Sequence, residues 1–226
     1  MNVQEFIARY PAVWHTADAR NLDGIKQAGL LSTSSLLDLF EVSPDARVPI
    51  ESQRRTESVH LDHEVHGKAV IRDQKPLDEA ALERSLTDMS PRQWFEALNQ
   101  RVYFWLDQVR LERMLNARPY ASSSQAVLEI DTSKLVETHL DEMRFSPINS
   151  GAAFPAGPAP RGSCTFLSFP DYPWDERAKT HPKELAVECA VLHSVPNINE
   201  MILNELTPYT IPKQGRQQEP RSQRSF

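Results

Sequence analysis

Three sets of residues in this chain have the types and spacing to do chemistry. The first lies in Val13 to Ser32, VWHTADARNLDGIKQAGLLS. His15 and Thr16 end a short apolar run. Asn21 opens an amphipathic one, with Leu22, Ile25 and Leu30 pointing inward and Asp18, Arg20, Asp23 and Lys26 outward. The pattern predicts a strand, a helix capped by Asp18 or Thr16, a stop at Gly29 and a new strand. A histidine at a strand end, beside free helix amides, suits an anionic, polar ligand. The second set is Glu184 to Val191, ELAVECAV. Strand alternation puts Glu184, Ala186, Glu188 and Ala190 on one face and Leu185, Val187, Cys189 and Val191 on the other. Two carboxylates with small alanines between them make an acidic face with room for a ligand. The third set is His60, His63 and His66, spaced H-x-x-H-x-x-H. Zinc-binding pairs on a helix use i and i+4. At i, i+3 and i+6 the third ring has rotated away, so the spacing favours a solvated edge over a metal site.

Single residues add to these sets. Arg54 and Arg55 sit in the polar, proline-containing segment 41–58, which reads as a loop or lid. Arg101 precedes a buried strand, Arg101 to Trp105, whose Tyr103, Phe104 and Trp105 read as core or as a ligand platform. Each candidate also has an ordinary structural reading. His15 reads equally as a hydrogen-bonded core histidine, and Glu184 and Glu188 as solvated positions on an edge strand.

The elements that must position these residues are short. Residues 2–10 read as a helix ended by Pro11, and Ser34 to Phe40 as another. Asp78 caps a helix through Leu86, and Ser90-Pro91 starts one through Asn99. Asp107 caps the helix after the aromatic strand. Ala126 to Asp131 is a strand, and Asp131 opens the next helix. The Gly/Pro/Ala segment 151–160 has the composition to cover a site, and Asn197 reads as the cap of a last helix through Leu206. Short strands mix with short helices without regular alternation, which predicts α+β rather than a doubly wound sheet.

The 226 residues suffice for one domain, placed at 1–211, with a polar, basic tail at 212–226 that reads as disordered. A hydrophobic content of 40% allows a real core. A net charge of -6 argues against a general nucleic-acid coat, though not against a local basic groove. Two cysteines, Cys164 and Cys189, fit a reducing compartment. With neither a signal-peptide pattern nor an apolar run of membrane-spanning length, the expectation is a cytoplasmic protein without a membrane partner.

The order His15, Asn21-Leu22, Ile25 and Gly29-Leu30-Leu31-Ser32 resembles the opening motif of DarT-type ADP-ribosyltransferases. From about Val13 to Ile198 the chain resembles still more an uncharacterised bacterial family related to them, including Gly67 to Pro76, Arg101 to Trp105, Ile148 to Gly151 and Arg161-Gly162. The resemblance implies an ADP-ribosyltransferase-like fold, with two small, mainly antiparallel sheets around an NAD cleft and helices outside. It implies NAD as substrate, with His15 on the nicotinamide ribose and amide, and with Thr16, Asn21 and Arg101 beside it. Arg55, with its neighbour Arg54, would hold the phosphates, and Tyr103 would pack on nicotinamide. Thr16 departs from the motif by following His15 directly. The catalytic glutamate of these enzymes lies on a late strand ahead of a Val-Pro pair. Glu184-Leu185-Ala186-Val187 matches the local pattern and is preferred. Spacing measured back from Val195-Pro196 lands on Glu188, which stays the alternative.

The expectation is therefore an NAD-dependent ADP-ribosyltransferase acting on a nucleic-acid base or a protein. The resemblance leaves the acceptor and any antitoxin or regulatory partner open. One rival is a catalytically inactive nucleotide- or partner-binding module of the same fold. Another is a metal-dependent hydrolase built on the three histidines.

Overall fold

The computed structural model describes residues 1–118, 120 and 123–207; the tail expected at 212–226 lies outside them. Ten strands are found among the described residues. In chain order they are β1 (Ala12–Asp18), β2 (Leu30–Leu31), β3 (Val59–His63), β4 (Gly67–Ile71), β5 (Arg101–Trp105), β6 (Gln125–Asp131), β7 (Met143–Ser146), β8 (Glu188–Leu192), β9 (Ser194–Val195) and β10 (Ile202–Leu206). Six form one antiparallel sheet in the order β10-β6-β1-β5-β8-β7. Two pairs, β2-β9 and β3-β4, form small sheets of their own. The fold is thus mixed α and β, with one dominant sheet rather than two small ones. Among the described residues no helix is long and apolar enough to cross a membrane.

One face of the large sheet carries the main core. Val13, Phe104, Leu128, Ile130, Phe145, Cys189 and Val191 meet Phe6 from the first helix (Val3–Arg9) and Trp174 from the helix Trp174–Thr180. Phe6 is the hub, with ring centroids 5.2 Å from Phe145, 5.8 Å from Phe169 and 5.7 Å from Trp174. Burying such a ring contributes about 2–3 kcal/mol. A second cluster, built on Leu77, Leu82, Trp94, Phe95, Leu98 and Phe166, packs against Tyr103.

Most local signals act as read. Asp78, Ser90, Asp107 and Asp131 cap helices with their side chains, and so does Asn2, which the sequence reading did not single out. Asp18 caps a short 3-10 turn, Ala19–Asn21, ahead of the helix Leu22–Ala28. Gly29 follows at φ 81°, where an added Cβ would meet the Pro196 Cα at 2.5 Å. The glycine therefore stops the helix and lets the chain pass against the Val195-Pro196 backbone.

Three readings are corrected. Segment 41–58 is not all loop: Ser43-Pro44 starts a helix, Pro44–Glu51, by the signal that starts Pro91–Asn99. The three histidines, read as a solvated edge, lie on the β3–β4 hairpin. His63 and His66 stack at 4.8 Å, and no metal-holding group of three ligand residues occurs among the described residues. The late strand begins at Glu188, not Glu184. Leu185, Ala186 and Val187 are all buried, so alternation fails there, and the Leu185 carbonyl is taken by the Tyr172 hydroxyl and Arg177 Nε. Instead of a final helix, Asn197 precedes one 3-10 turn, Ile198–Glu200, and then edge strand β10.

Candidate functional site

The site arises where the large sheet comes apart. β1 pairs with β6 along its length, from Ala12↔Asp131 to Asp18↔Gln125. Its other neighbour, β5, pairs with it at the single position Trp14↔Trp105. Beyond that point β1 and β5 diverge, and a wedge opens towards Asp18 on one side and Arg101 on the other. A cavity of about 340 Å³ occupies it. Its walls are residues 15–18 of β1, residues 101–105 of β5, the end of β4 with Arg72 and Asp73, Arg55, the turn Asn149 to Ala152, and Glu188.

His15 closes the narrow end. Its ring lies 5.8 Å from the Phe104 ring, and its Nδ1 is 2.9 Å from the Tyr103 carbonyl oxygen. A carbonyl oxygen only accepts, so Nδ1 carries the proton and donates. Burial pushes the imidazole down to about 4, against the pull of that carbonyl, and the nearby Arg72 charge lowers it further. The ring is thus neutral at physiological pH. Nε2 is left as a bare acceptor, without a hydrogen-bond partner among the described residues.

Glu188 faces the cavity from β8, opposite Trp105 in register. Only 6% of its surface is exposed, and its Oε1 accepts the Ser150 amide at 3.0 Å. Burial raises its carboxyl to about 7. The Ser150 hydroxyl and amide, then Arg110 and Arg161, pull it back towards the ionised form. Burial thus holds the Glu188 carboxyl well above the ordinary carboxylate range, the kind of perturbation that clusters at functional clefts.

Three guanidiniums line the same cavity. Arg55 is 9% exposed and donates to neutral oxygens: Nε to the Arg72 carbonyl at 3.1 Å, Nη1 to the Ile50 carbonyl at 2.5 Å and to Asn99 Oδ1 at 2.9 Å. Burial brings it down to about 10. Arg72 lies over the Tyr120 ring at 5.3 Å and donates to Gln125 and, at 3.4 Å, to Thr16 Oγ1. Arg101 lies over Phe166 at 4.4 Å, and its buried Nε has no partner. Among the described residues none of the three forms an ion pair. The other two carboxylates on these walls are engaged elsewhere, Asp18 by Arg20 at 2.8 Å and Asp73 by Lys75 at 3.3 Å. Burying unpaired cations is costly, and an anionic ligand offsets that cost. Guanidiniums match phosphate oxygens, while His15 Nε2 and Glu188 offer acceptors to hydroxyl groups. The arrangement suits a sugar phosphate.

Seven of the residues named from sequence thus meet in one cavity: His15, Thr16, Asn21, Arg55, Arg101, Tyr103 and Glu188. Asn21 serves the walls. Its amide donates to the Val70 carbonyl at 2.8 Å and accepts the Val70 amide at 2.7 Å, tying β4 to the helix start. The Tyr103 hydroxyl donates to the Leu98 carbonyl at 3.2 Å, which fixes its ring. Arg54 and Glu184 do not line the cavity. Arg54 donates to the Lys75 carbonyl at 3.0 Å, and Glu184 pairs with Arg110, whose Nη2 lies 2.6 Å from Oε2. Sequence reasoning missed Arg72 and Ser150. A signal for Arg72 exists: it is a cation straight after the apolar run Ala69 to Ile71. Ser150 lies in an irregular turn whose target is remote in sequence. A second cavity of about 250 Å³, mostly apolar, adjoins the first and shares His15, Ala17, Asn21, Leu31 and Leu36 with it.

No curated protein matches the chain. The model of a family of unknown function (DUF7002) matches residues 11–202, and the chain belongs to that family.

Proposed function

We propose that the chain is an NAD-dependent ADP-ribosyltransferase that holds NAD in the wedge between β1 and β5 and releases nicotinamide. One observation carries the reading: a neutral His15 with a free Nε2 and a buried Glu188 share one cavity with three guanidiniums that have no carboxylate partner. The resemblance to DarT-type enzymes, and with it an ADP-ribosyltransferase-like fold, is part of the same proposal. In this reading Arg55 and Arg72 take the diphosphate, His15 Nε2 accepts from a ribose hydroxyl, and Tyr103 flanks the nicotinamide. Glu188 replaces Glu184 as the carboxylate. It accepts from the nicotinamide ribose, and its charge is worth most as the glycosidic bond breaks and the ribose becomes an oxocarbenium ion. The acceptor is a nucleic-acid base, a protein side chain or water.

The test is nicotinamide release from NAD by the purified protein, with buffer, single-stranded DNA, RNA or cell lysate as acceptor, beside Glu188→Gln. Release that Glu188→Gln abolishes supports the reading, and its acceptor dependence identifies the substrate. NAD binding without release under any acceptor refutes the enzyme and leaves a nucleotide-binding module of the same cavity.

A further inference from the structure

Arg161 lies outside the cavity lining, yet it is only 3% exposed. Its Nη1 donates to Ser85 Oγ at 3.0 Å, its Nη2 to the Ala152 carbonyl at 2.7 Å, and its Nε is buried without a partner. Its guanidinium lies 5.8 Å from the Trp94 ring centre. Its own backbone is tied at both ends: the amide donates to the Ser85 carbonyl at 2.9 Å, and the carbonyl accepts the Thr87 amide at 3.0 Å. So Arg161 is anchored on the helix Glu79–Ser85 and the turn after it, and from there it reaches Ala152.

Ala152 belongs to the turn that carries Ser150. The next residue, Ala153, is pinned on the far side. Its amide donates to the Pro76 carbonyl at 3.1 Å, and its carbonyl accepts the Asp78 amide at 3.0 Å. Ser150 is 1% exposed, and its amide points at Glu188 Oε1. The planar fork spans two acceptors at a fixed angle, Ser85 Oγ and the Ala152 carbonyl, and so ties the turn to the helix in a geometry that a lysine does not impose. Arg161 and Glu188 are far apart in sequence, but two hydrogen bonds and the short turn between Ser150 and Ala152 connect them.

We infer that Arg161 is a positioning residue for Glu188: by holding the Ala152 carbonyl it fixes the turn that keeps the Ser150 amide on the Glu188 carboxylate. This rests on the reading of Glu188 as the reacting carboxylate. Electrostatics runs the same way, because Glu188 is the carboxylate that offsets the burial of Arg161. The other titratable groups around Glu188 are Arg110, which is shared with Glu184, Tyr103 on β5 and the buried thiol of Cys189 on its own strand.

The experiment follows the Glu188 carboxyl by carbon NMR in protein labelled at glutamate, with Glu188→Gln assigning the signal. Wild type, Arg161→Gln and Arg161→Lys are compared. Arg161→Gln is expected to raise the Glu188 midpoint by roughly one pH unit, since it removes a charge and loosens a hydrogen bond. Arg161→Lys restores the charge but not the fork, and is expected to recover part of that shift. In nicotinamide release, kcat of Arg161→Gln falls near neutrality and recovers at higher pH, while KM for NAD changes little. An unchanged midpoint in folded Arg161→Gln overturns the inference. If that variant does not fold, Arg161→Lys and Ser85→Ala replace it. A midpoint shifted upward in either supports the inference, and one unchanged in both overturns it. A wild type that releases no nicotinamide refutes the enzyme reading instead, and the titration still judges Arg161.

Discussion

His15 Nδ1 donates to the main-chain carbonyl of Tyr103 across 2.9 Å, at the place where β1 and β5 stop pairing. A side chain thus satisfies an acceptor that the missing strand ladder leaves behind. The same bond sets the tautomer that turns Nε2 into a free acceptor. Two functions are therefore separable. Asparagine places its amide nitrogen near Nδ1 but has nothing at Nε2. His15→Ala is expected to cost about 1–2 kcal/mol of stability through the unpaired carbonyl. His15→Asn is expected to recover much of that loss in urea melts. Both variants are expected to release nicotinamide at least about tenfold more slowly, because each lacks the Nε2 acceptor. Full activity in His15→Asn would mean that Nε2 touches no ligand.

Glu184 and Glu188 have different roles. Glu188→Gln is expected to lower nicotinamide release by about a hundredfold or more. Glu184→Gln breaks the pair with Arg110 and leaves the cavity walls in place. Arg110 acts on Glu188 as a favourable charge, and freed from Glu184 it acts more strongly. The Glu188 carboxyl then ionises at lower pH. Glu184→Gln should therefore retain most activity, with the acid limb of its pH–rate profile moved to lower pH. A shift to higher pH, or complete loss, would restore Glu184 as the reacting group.

Glu188 and His15 oppose each other in pH-dependent stability. Glu188 goes from an ordinary 4.5 to about 7 on folding, so between those values the native state holds the extra proton and stability falls as pH rises. The full term is about 3 kcal/mol, lost by pH 7. His15 goes from 6.5 to about 4, so between those values the unfolded state holds the extra proton and stability rises with pH. From pH 4.5 to 6.5 the two slopes largely cancel. Glu188→Gln removes the falling one. Its stability relative to wild type should grow steadily from pH 4.5 to 7, as read in urea melts at each pH. A constant difference between the two proteins across that range would contradict the assigned shift.

Local signals in the sequence carried much of the fold. Caps such as Ser90 and Asp107 act within four residues of themselves, so the helices they start are legible without the rest of the chain. Gly29 is legible for the same reason, and Gly29→Ala is expected to cost more than about 1 kcal/mol through strain at positive φ and collision with Pro196, measurable as a lowered urea midpoint. What the sequence hides is pairing. Glu184 to Val187 alternates like a strand, but β5 reaches no further than Trp105, so these residues have no partner on that side. The β10 segment reads as a helix after Asn197 because nothing local announces that it will lie against β6. The wedge itself is an absence of pairing between β1 and β5, and no residue type encodes an absence.

Arg72 gives the sharpest test of what the wedge holds. It lies inside the matched stretch Gly67 to Pro76, but the resemblance gives it no role. Its guanidinium has neutral partners in Gln125 and Thr16 and a ring face in Tyr120. An anion placed between Arg72 and Arg55 would pair two buried cations at once. Arg72→Gln is expected to weaken binding of ADP-ribose about 10- to 100-fold, the range for losing a charge-assisted hydrogen bond. Binding of nicotinamide riboside, which has the ribose and ring but no phosphate, should change by less than about threefold. Titration calorimetry on both ligands separates the cases. Equal losses for the two would point to a collapsed cavity, and no loss for either would place the diphosphate away from Arg72. Only a loss confined to ADP-ribose fits a guanidinium that reads phosphate.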